Sequence, residues 1–324
     1  MLRGVPQGAP ESPVLFTLVT EMVLRPLLRR WHGDRKGWFS DEFWLALVCY
    51  ADDIVLFSSD KAELENMLAE VIDAFKVVGL DVAPDKSHWT CYPPKPSSSL
   101  KCGGKRIGWE SHLVFVGTVL AFNGNDGLAI DHRLAQATKV FFKWKQVLQL
   151  PGASVRRRAE LSAATFISAL LWLSETWYPT ERQRKHIESW AARMFARACG
   201  LKRWSEEDGV GFWRRLHTFG HKYGCSANTL RRAKLHGLAG HLVRMQRCVP
   251  SIALRTRHIA WWRGMQRRGG IKHPQRFHVW RWEQQLVDFY GEVETIFTDD
   301  DVGWFLRAAN RQEWKAMRDA FAAF

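Results

Sequence analysis

The chain alternates between two hydrophobic rhythms. Across residues 12–31, "SPVLFTLVTEMVLRPLLRRW", apolar positions recur near a 3.6-residue period, which predicts a helix. Ser12 is placed to cap it, Pro13 suits its first turn, and Pro26 should kink its last turns. Residues 59–79 keep the same period, with Leu64, Leu68, Val71, Ile72 and Phe75 on one face and Gly79 as the stop. Between them the rhythm changes. In "LALVCYADDIVLFSSD", residues 45–60, two short apolar runs flank Asp52 and Asp53, which predicts a buried β-hairpin with the acidic pair at its turn. Residues 80–92 read as extended, 93–108 as a Pro/Ser/Gly loop, and 112–122 as a second strand pair closed by the turn signal "NGNDG". From residue 131 onward the pattern is helical throughout, over 131–150, 155–178, 181–199, 208–222, 226–247, 275–290 and 310–323. This order predicts an α+β fold. An antiparallel sheet backed by helices occupies 1–130, and an all-α region follows, read as 131–200 and 201–324. No internal repeat is visible.

Charge sharpens the division. Residues 1–130 carry a net −3, residues 131–285 carry 30 Lys/Arg against 9 Asp/Glu, a net +21, and residues 286–324 a net −4. A basic excess this concentrated is the electrostatic footprint of a polyanion partner, nucleic acid first among them. At 46% hydrophobic residues the chain can bury a substantial core, and no apolar run reaches the length of a membrane span. Six cysteines without framework spacing fit a reducing, intracellular compartment, nucleus or cytoplasm.

Two adjacent carboxylates repel each other, and burying either one uncompensated is costly. An ordinary polar turn tolerates such a pair. A divalent cation makes better use of it, since Mg²⁺ takes hard oxygen ligands from one or two carboxylates plus substrate phosphates. Upstream, "RGVPQGAPESPVLF" (3–16) places Gly4 and Gly8 around Pro6 and Gln7, just before a helix N-terminus. Such a backbone can approach a ligand closely, and a helix N-terminus favours phosphate.

Together these stretches resemble the palm and thumb of a reverse transcriptase, most similar to those of LINE-type non-LTR retrotransposons. Gly4-Val5-Pro6-Gln7-Gly8 with Ser12-Pro13 is similar to the family's motif B, and Tyr50-Ala51-Asp52-Asp53 to motif C. Gly79-Leu80 followed by Lys86-Ser87 resembles motif D, and Phe115-Val116-Gly117 the motif E primer grip. "SETW" (174–177) and "GLAGHLVRM" (237–245) resemble segments downstream of the LINE polymerase domain, and "GGIKHPQRFHVWRW" (269–282) echoes its basic C-terminal stretch.

The resemblance implies RNA-templated DNA synthesis by two-metal nucleotidyl transfer, with an RNA template, a DNA primer and dNTPs as partners. It assigns metal binding to Asp52 and Asp53 and leaving-group stabilisation to Lys86. Gly4, Pro6, Gln7, Gly8 and Tyr50 would line the nucleotide and templating base, and Phe115, Val116 and Gly117 would hold the primer end. Two Mg²⁺ ions are the implied cofactors, with Mn²⁺ as a substitute. The family's further metal-binding Asp, in motif A, lies upstream of motif B, whereas Asp34 and Asp41 lie downstream of it. The chain therefore reads as a truncated copy, with two of three expected carboxylates and an inactive polymerase. A non-catalytic nucleic-acid-binding remnant and an intron-maturase-type enzyme are the alternatives.

Two further signals carry less. His217, His221, Cys225, His236, His241 and Cys248 suggest zinc, but lack a Cys-x₂-Cys partner. Trp261, Trp262, Trp280 and Trp282 among Arg263, Arg267, Arg268, Arg276 and Arg281 could stack on bases or simply pack.

Overall fold

The computed structural model describes residues 6, 8–40, 43–121, 126–245, 248–256, 281–291 and 304–324. The chain forms two compact units, Met1–Gly124 and Asn125–Phe324. Mixed helix and antiparallel strand in the first and helix in the second make an α+β protein.

In the N-terminal unit, helix α1 (Ser12–Gly33) runs unbroken past Pro26. Ser12 is its first residue rather than its cap, and donates its hydroxyl to the Pro6 carbonyl at 2.6 Å. Four antiparallel hairpins and helix α2 (Lys61–Val77) follow or surround it. They are β1 (Trp38–Ser40) with β2 (Phe43–Leu45), β3 (Leu47–Tyr50) with β4 (Asp53–Leu56), β5 (Ser99–Cys102) with β6 (Lys105–Gly108), and β7 (Leu113–Phe115) with β8 (Thr118–Leu120).

The single palm sheet expected from the pattern is, among the described residues, four separate two-stranded sheets. The β3–β4, β5–β6 and β7–β8 hairpins each close in two residues, and among the described residues no ladder joins one hairpin to the next. The apolar run at 45–49 is split: Leu45 ends β2, Ala46 is a buried bend, and β3 starts at Leu47. Residues 99–108, read as loop, form the β5–β6 hairpin, because Gly103 and Gly104 both take positive φ (52° and 86°) and turn the chain in two residues. Residues 80–92 hold a short 3₁₀ turn, Pro84–Lys86, and otherwise no strand.

Helix α2 is the centre of this unit. Its Asp60 cap accepts the Glu63 N–H, and Met67, Val71 and Phe75 bury against Leu24, Leu27 and Trp31 of α1 and Ala46. Its outer carboxylates do the fastening. Glu70 accepts from Trp31 Nε1 at 2.5 Å, Arg30 Nη2 at 2.6 Å and Lys36 Nζ at 2.9 Å. Burial alone would raise the Glu70 pKa, but these hydrogen bonds outweigh it and hold the group down to about 2.

The C-terminal unit contains α3 (Gly127–Leu148), α4 (Val155–Ser162), a π-helical turn (Ala163–Ile167), α5 (Ser168–Leu170) and a 3₁₀ turn (Ser174–Thr176). Helices α6 (Glu181–Cys199), α7 (Gly209–Lys222) and α8 (Ala227–Arg244) come next. Residues 249–256 are helical, and α9 (Arg281–Gly291), α10 (Trp304–Ala309) and α11 (Arg311–Ala323) end the unit. Phe141, Phe166, Trp177, Trp190 and Phe195 centre one core, and Leu235, Tyr290, Trp304, Trp314 and Phe321 a second.

The helix expected over 155–178 breaks near residue 171. Arg133 donates to the Ala169 carbonyl, and Lys234 Nζ to the Leu171 carbonyl at 2.7 Å, so side chains replace the next helical turn. Leu173 then adopts φ 56°, turning the chain into the Ser174–Thr176 element. Among the described residues no helix is long and apolar enough to cross a membrane, and no cluster of three or more His, Cys, Asp or Glu is placed to hold a metal. His236 instead lies buried in the second core, stacked on Trp314 at 3.9 Å and bonded to the Tyr290 hydroxyl at 2.8 Å. Burial first, then repulsion from Arg318 and Arg244, pushes its pKa down to about 4.

Two expectations follow. A methyl group at Gly240 would overlap the Trp314 indole, whose Nε1–H is already committed to the His236 carbonyl at 2.8 Å. Gly240→Ala should cost about 1–3 kcal/mol in urea denaturation despite its better helix propensity. The two units should also fail in acid over different ranges. His236 has a depressed folded pKa, so the unfolded chain binds its proton first, and stability of the C-terminal unit declines as pH falls from about 6.5 to about 4. The Glu70 contribution is intact above its ordinary value of 4.5 and is lost as pH falls towards about 2. Hydrogen exchange read by segment should register loss of protection in α8 before α2, and His236→Phe should flatten the α8 response above pH 4.

Candidate metal-binding hairpin

The β3–β4 hairpin pairs Leu47 with Leu56, Val48 with Val55, Cys49 with Ile54 and Tyr50 with Asp53. Its β-branched residues favour the pleated surface, and the inward face sends Leu47, Ile54 and Leu56 into the core beside α2. Only two residues, Ala51 and Asp52, make the turn, and Ala51 carries the left-handed conformation at φ 53°. Asp52 therefore sits in the turn itself, and Asp53 is the first residue of β4, opposite Tyr50.

The outward face differs from the buried hairpin expected. On it Tyr50 is 61% exposed and Val48 is exposed; at the tip both aspartates are exposed, and so is Cys49, which lies on the opposite face with Leu47 and Ile54. Among the described residues neither carboxylate forms a hydrogen bond or ion pair with another side chain. Their uncancelled charge is felt next door: burial first, then Asp52 and Asp53, raise the Cys49 thiol above its ordinary value. Two hard oxygen donors with no counter-charge, at an exposed tip on a rigid turn, fit a divalent cation. Among the described residues no third acidic, histidine or cysteine side chain joins them.

The other sequence candidates are placed as follows. Gly4 and Gln7 lie outside the described residues. Pro6 and Gly8 are exposed in a compact turn before α1, where the Ala9 N–H reaches the Pro6 carbonyl at 3.4 Å and Gly8 takes φ 90°. Lys86 is exposed at the end of the Pro84–Lys86 turn, while its neighbour Asp85 takes Lys105 at 2.8 Å. Among the described residues, no hydrogen bond or ion pair joins Lys86, or the chain from Pro6 to Ser12, to Asp52 or Asp53. Phe115 ends β7, and Val116 and Gly117 form the two-residue turn to β8, with φ 50° and 74°. Of the tryptophan–arginine stretch, Trp282 is described, and its Nε1–H caps the Glu175 carbonyl at 2.6 Å. Trp261, Trp262, Trp280, Arg263, Arg267, Arg268 and Arg276 lie outside the described residues.

Sequence reasoning missed two features. Cys49 reports on the carboxylates, and only its place across the ladder from Ile54, beside the turn, reveals that. The other is Glu70 of α2, which gathers three donors. Its spacing of seven from Glu63, on the same helix face, was the available signal.

Val116 is β-branched in a conformation that suits Asn or Gly. Val116→Asn would create an Asn-Gly turn and should stabilise the N-terminal unit by about 1 kcal/mol, read as a higher thermal midpoint.

Residues 1–121 match the family model described as "Reverse transcriptase (RNA-dependent DNA polymerase)". Among curated proteins, a Pol polyprotein from a type-1 R2 retrotransposable element of Nasonia vitripennis is 30% identical over 113 residues. That stretch covers 35% of this chain and 10% of the relative. A Pol polyprotein from the type-2 R2DM element of Drosophila melanogaster is 37% identical over 84 residues, covering 26% of this chain and 8% of the relative. The chain thus aligns with about a tenth of the length of these relatives. No solved structure matches. Residues 1–121 thus form a reverse-transcriptase segment, similar to the corresponding stretch of R2 retrotransposable elements.

Proposed function

We propose that the N-terminal unit is the metal-binding and primer-holding part of an RNA-directed DNA polymerase that acts in retrotransposition. The observation that carries this reading is the Asp52–Asp53 pair. Two exposed carboxylates without counter-charge sit at a hairpin tip inside a reverse-transcriptase segment. Asp52 and Asp53 would hold Mg²⁺, with Mn²⁺ as substitute, and nucleotide phosphates would complete the oxygen shell. Bound there, the metal supplies charge neutralisation for phosphoryl transfer.

The chain's own residues set position. Tyr50 and Val48 give an exposed apolar surface beside the carboxylates, suited to the sugar or base of an incoming dNTP. Pro6 and Gly8, with Gly4 and Gln7, would approach the templating pair, and the open space around Gly8 leaves room for it. Lys86, paired with no carboxylate among the described residues, would offer its ammonium to the departing pyrophosphate. Phe115, Val116 and Gly117 would hold the primer end, and the rigid turn suits a positioning role.

The Cys49 thiol provides a test that does not depend on turnover. Mn²⁺ or Mg²⁺ at Asp52 and Asp53 should cancel their field and shift the pH profile of Cys49 alkylation, read by peptide mass spectrometry, to lower pH. Asp52→Asn with Asp53→Asn should shift it without metal and abolish the response to metal. A photo-reactive group at the primer terminus of an RNA–DNA hybrid should label the Phe115–Gly117 turn. A thiol indifferent to metal, with labelling confined to other segments, would overturn the reading.

A further inference from the structure

The C-terminal unit contains a cleft of about 570 Å³ between α6, α7 and α8, lined by Arg184, Lys185, Trp213, His217, Asn228 and Arg232 with two carboxylates. A smaller cleft of about 240 Å³ adjoins it, sharing Arg184, Arg232 and Glu181 and adding Asp288 and Phe324. We propose that these two clefts form a site for single-stranded nucleic acid, with one phosphodiester held at Arg232 and Arg184 and a nucleoside on either side. The site is separate from the Asp52–Asp53 hairpin, but it rests on the reading that the chain works on nucleic acid.

Charge accounting singles out Arg232. Glu181 is neutralised by Arg184 at 2.6 Å and Lys185 at 3.7 Å. Glu188, buried, accepts the Asn228 N–H at 2.9 Å and so sits on the α8 N-terminus, where a negative charge is favoured. Both carboxylates are thus committed. Arg232 is half-buried and makes no hydrogen bond or ion pair among the described residues, so its planar donors face the cleft without an acceptor. Burial and then the neighbouring Arg184 pull its pKa below the ordinary arginine value, against the attraction of Glu181 and Glu188, which acts in the opposite sense without supplying a hydrogen bond. A half-buried guanidinium without an acceptor is stabilised by an incoming anion, and a phosphodiester matches its geometry. The larger cleft sets three basic groups against two carboxylates, and the smaller cleft adds a third carboxylate, Asp288, which accepts from Gln284 Nε2 at 2.6 Å.

Shape selects the strand state. The larger cleft has the volume of a small-molecule site, and its wall carries the Trp213 and His217 rings with centroids 6.2 Å apart. Arg193 lies 5.6 Å over the Trp213 ring and braces it from α6. Phe324 offers a second, half-exposed ring in the smaller cleft. Recesses of nucleotide size beside aromatic side chains accept splayed bases, which a duplex does not present.

The test uses the full chain in EDTA, so that metal at Asp52 and Asp53 plays no part. Anisotropy of labelled octauridylate and octathymidylate should report binding about 10-fold weaker for Arg232→Ala, with the log–log salt slope reduced by about one. Arg232→Lys should recover part of that loss. Arg156→Ala with Arg157→Ala removes two exposed charges on α4 and should change binding less than 3-fold. Acetylation of Lys185 should be slowed by the oligonucleotide in the unaltered protein, which reads the site without any substitution. Equal loss in the α4 variant, an unchanged Arg232→Ala, an unprotected Lys185, or equally tight binding of blunt duplex or free dNTP would each overturn the proposal. Because the metal response of Cys49 is measured separately, failure here is distinguishable from failure of the polymerase reading.

Discussion

One carboxylate holds the N-terminal unit in register. Glu70 receives an indole, a guanidinium and an ammonium that arise from the end of α1 and the chain just beyond it. Seven residues earlier on the same helix, Glu63 takes the Gly37 N–H at 2.9 Å and the Ser58 hydroxyl at 2.5 Å. Ser58 leaves the β4 strand and Gly37 leads into β1, so α2 grips both flanks of the two hairpins. An antiparallel pair alone is marginal in water. Here β3 and β4 bury only one face, and that face is buried because α2 is fastened where it is. The exposed tip at Asp52 and Asp53 can then carry repulsion that a free hairpin would not tolerate.

The C-terminal unit handles charge in the opposite sense. Its strong positive excess reads in sequence as a surface for polyanions, yet much of it is spent inside. Arg158 donates to the Ala198 carbonyl at the end of α6 and to the Leu150 and Ala153 carbonyls in the α3–α4 connection. Arg133, Lys234 and Arg244 cap Ala169, Leu171 and Ala308 in the same way. Arg231 is fully buried and forms no ion pair among the described residues, held by the Gln285 side chain at 2.9 Å and the Trp177 carbonyl at 3.4 Å. Burial, then Arg232 and Arg184, lower its pKa to about 10. Subtracting these internal braces leaves Arg232 conspicuous, because it is recessed like them but has nothing to brace.

What could be read from the sequence follows from which interactions are local. The α1 and α2 periods, the Asp52–Asp53 turn and the β7–β8 pair depend on residues within a dozen positions, and all were legible. The Gly103–Gly104 hairpin was legible too, but the Pro/Ser content of 93–98 masked a turn signal that the flanking strands needed. The break at Leu173 was not legible. It is imposed by Arg133 and Lys234, 36 and 63 residues from the carbonyls they bind. The same holds for the candidate sites. Adjacent aspartates announce themselves, whereas Arg184, Trp213 and Arg232 come from three helices whose packing no local pattern specifies.

Backbone geometry links the two hairpins assigned to chemistry. Each closes in two residues, and in each the first turn residue is not glycine yet adopts a left-handed φ, Ala51 at 53° and Val116 at 50°. Glycine in those places would relieve the strain and also widen the range of turn conformations. A side chain that pays for its position by strain of about 1–3 kcal/mol persists only where the surroundings determine it. For Ala51 the consequence is direct, since its peptide fixes where the Asp52 carboxylate starts. In the proposed metal-binding role, two anionic groups that share one cation need a fixed separation more than they need low energy. A turn that resists reorientation meets that need, and the Glu70 clamp supplies the stability that lets the strain stand.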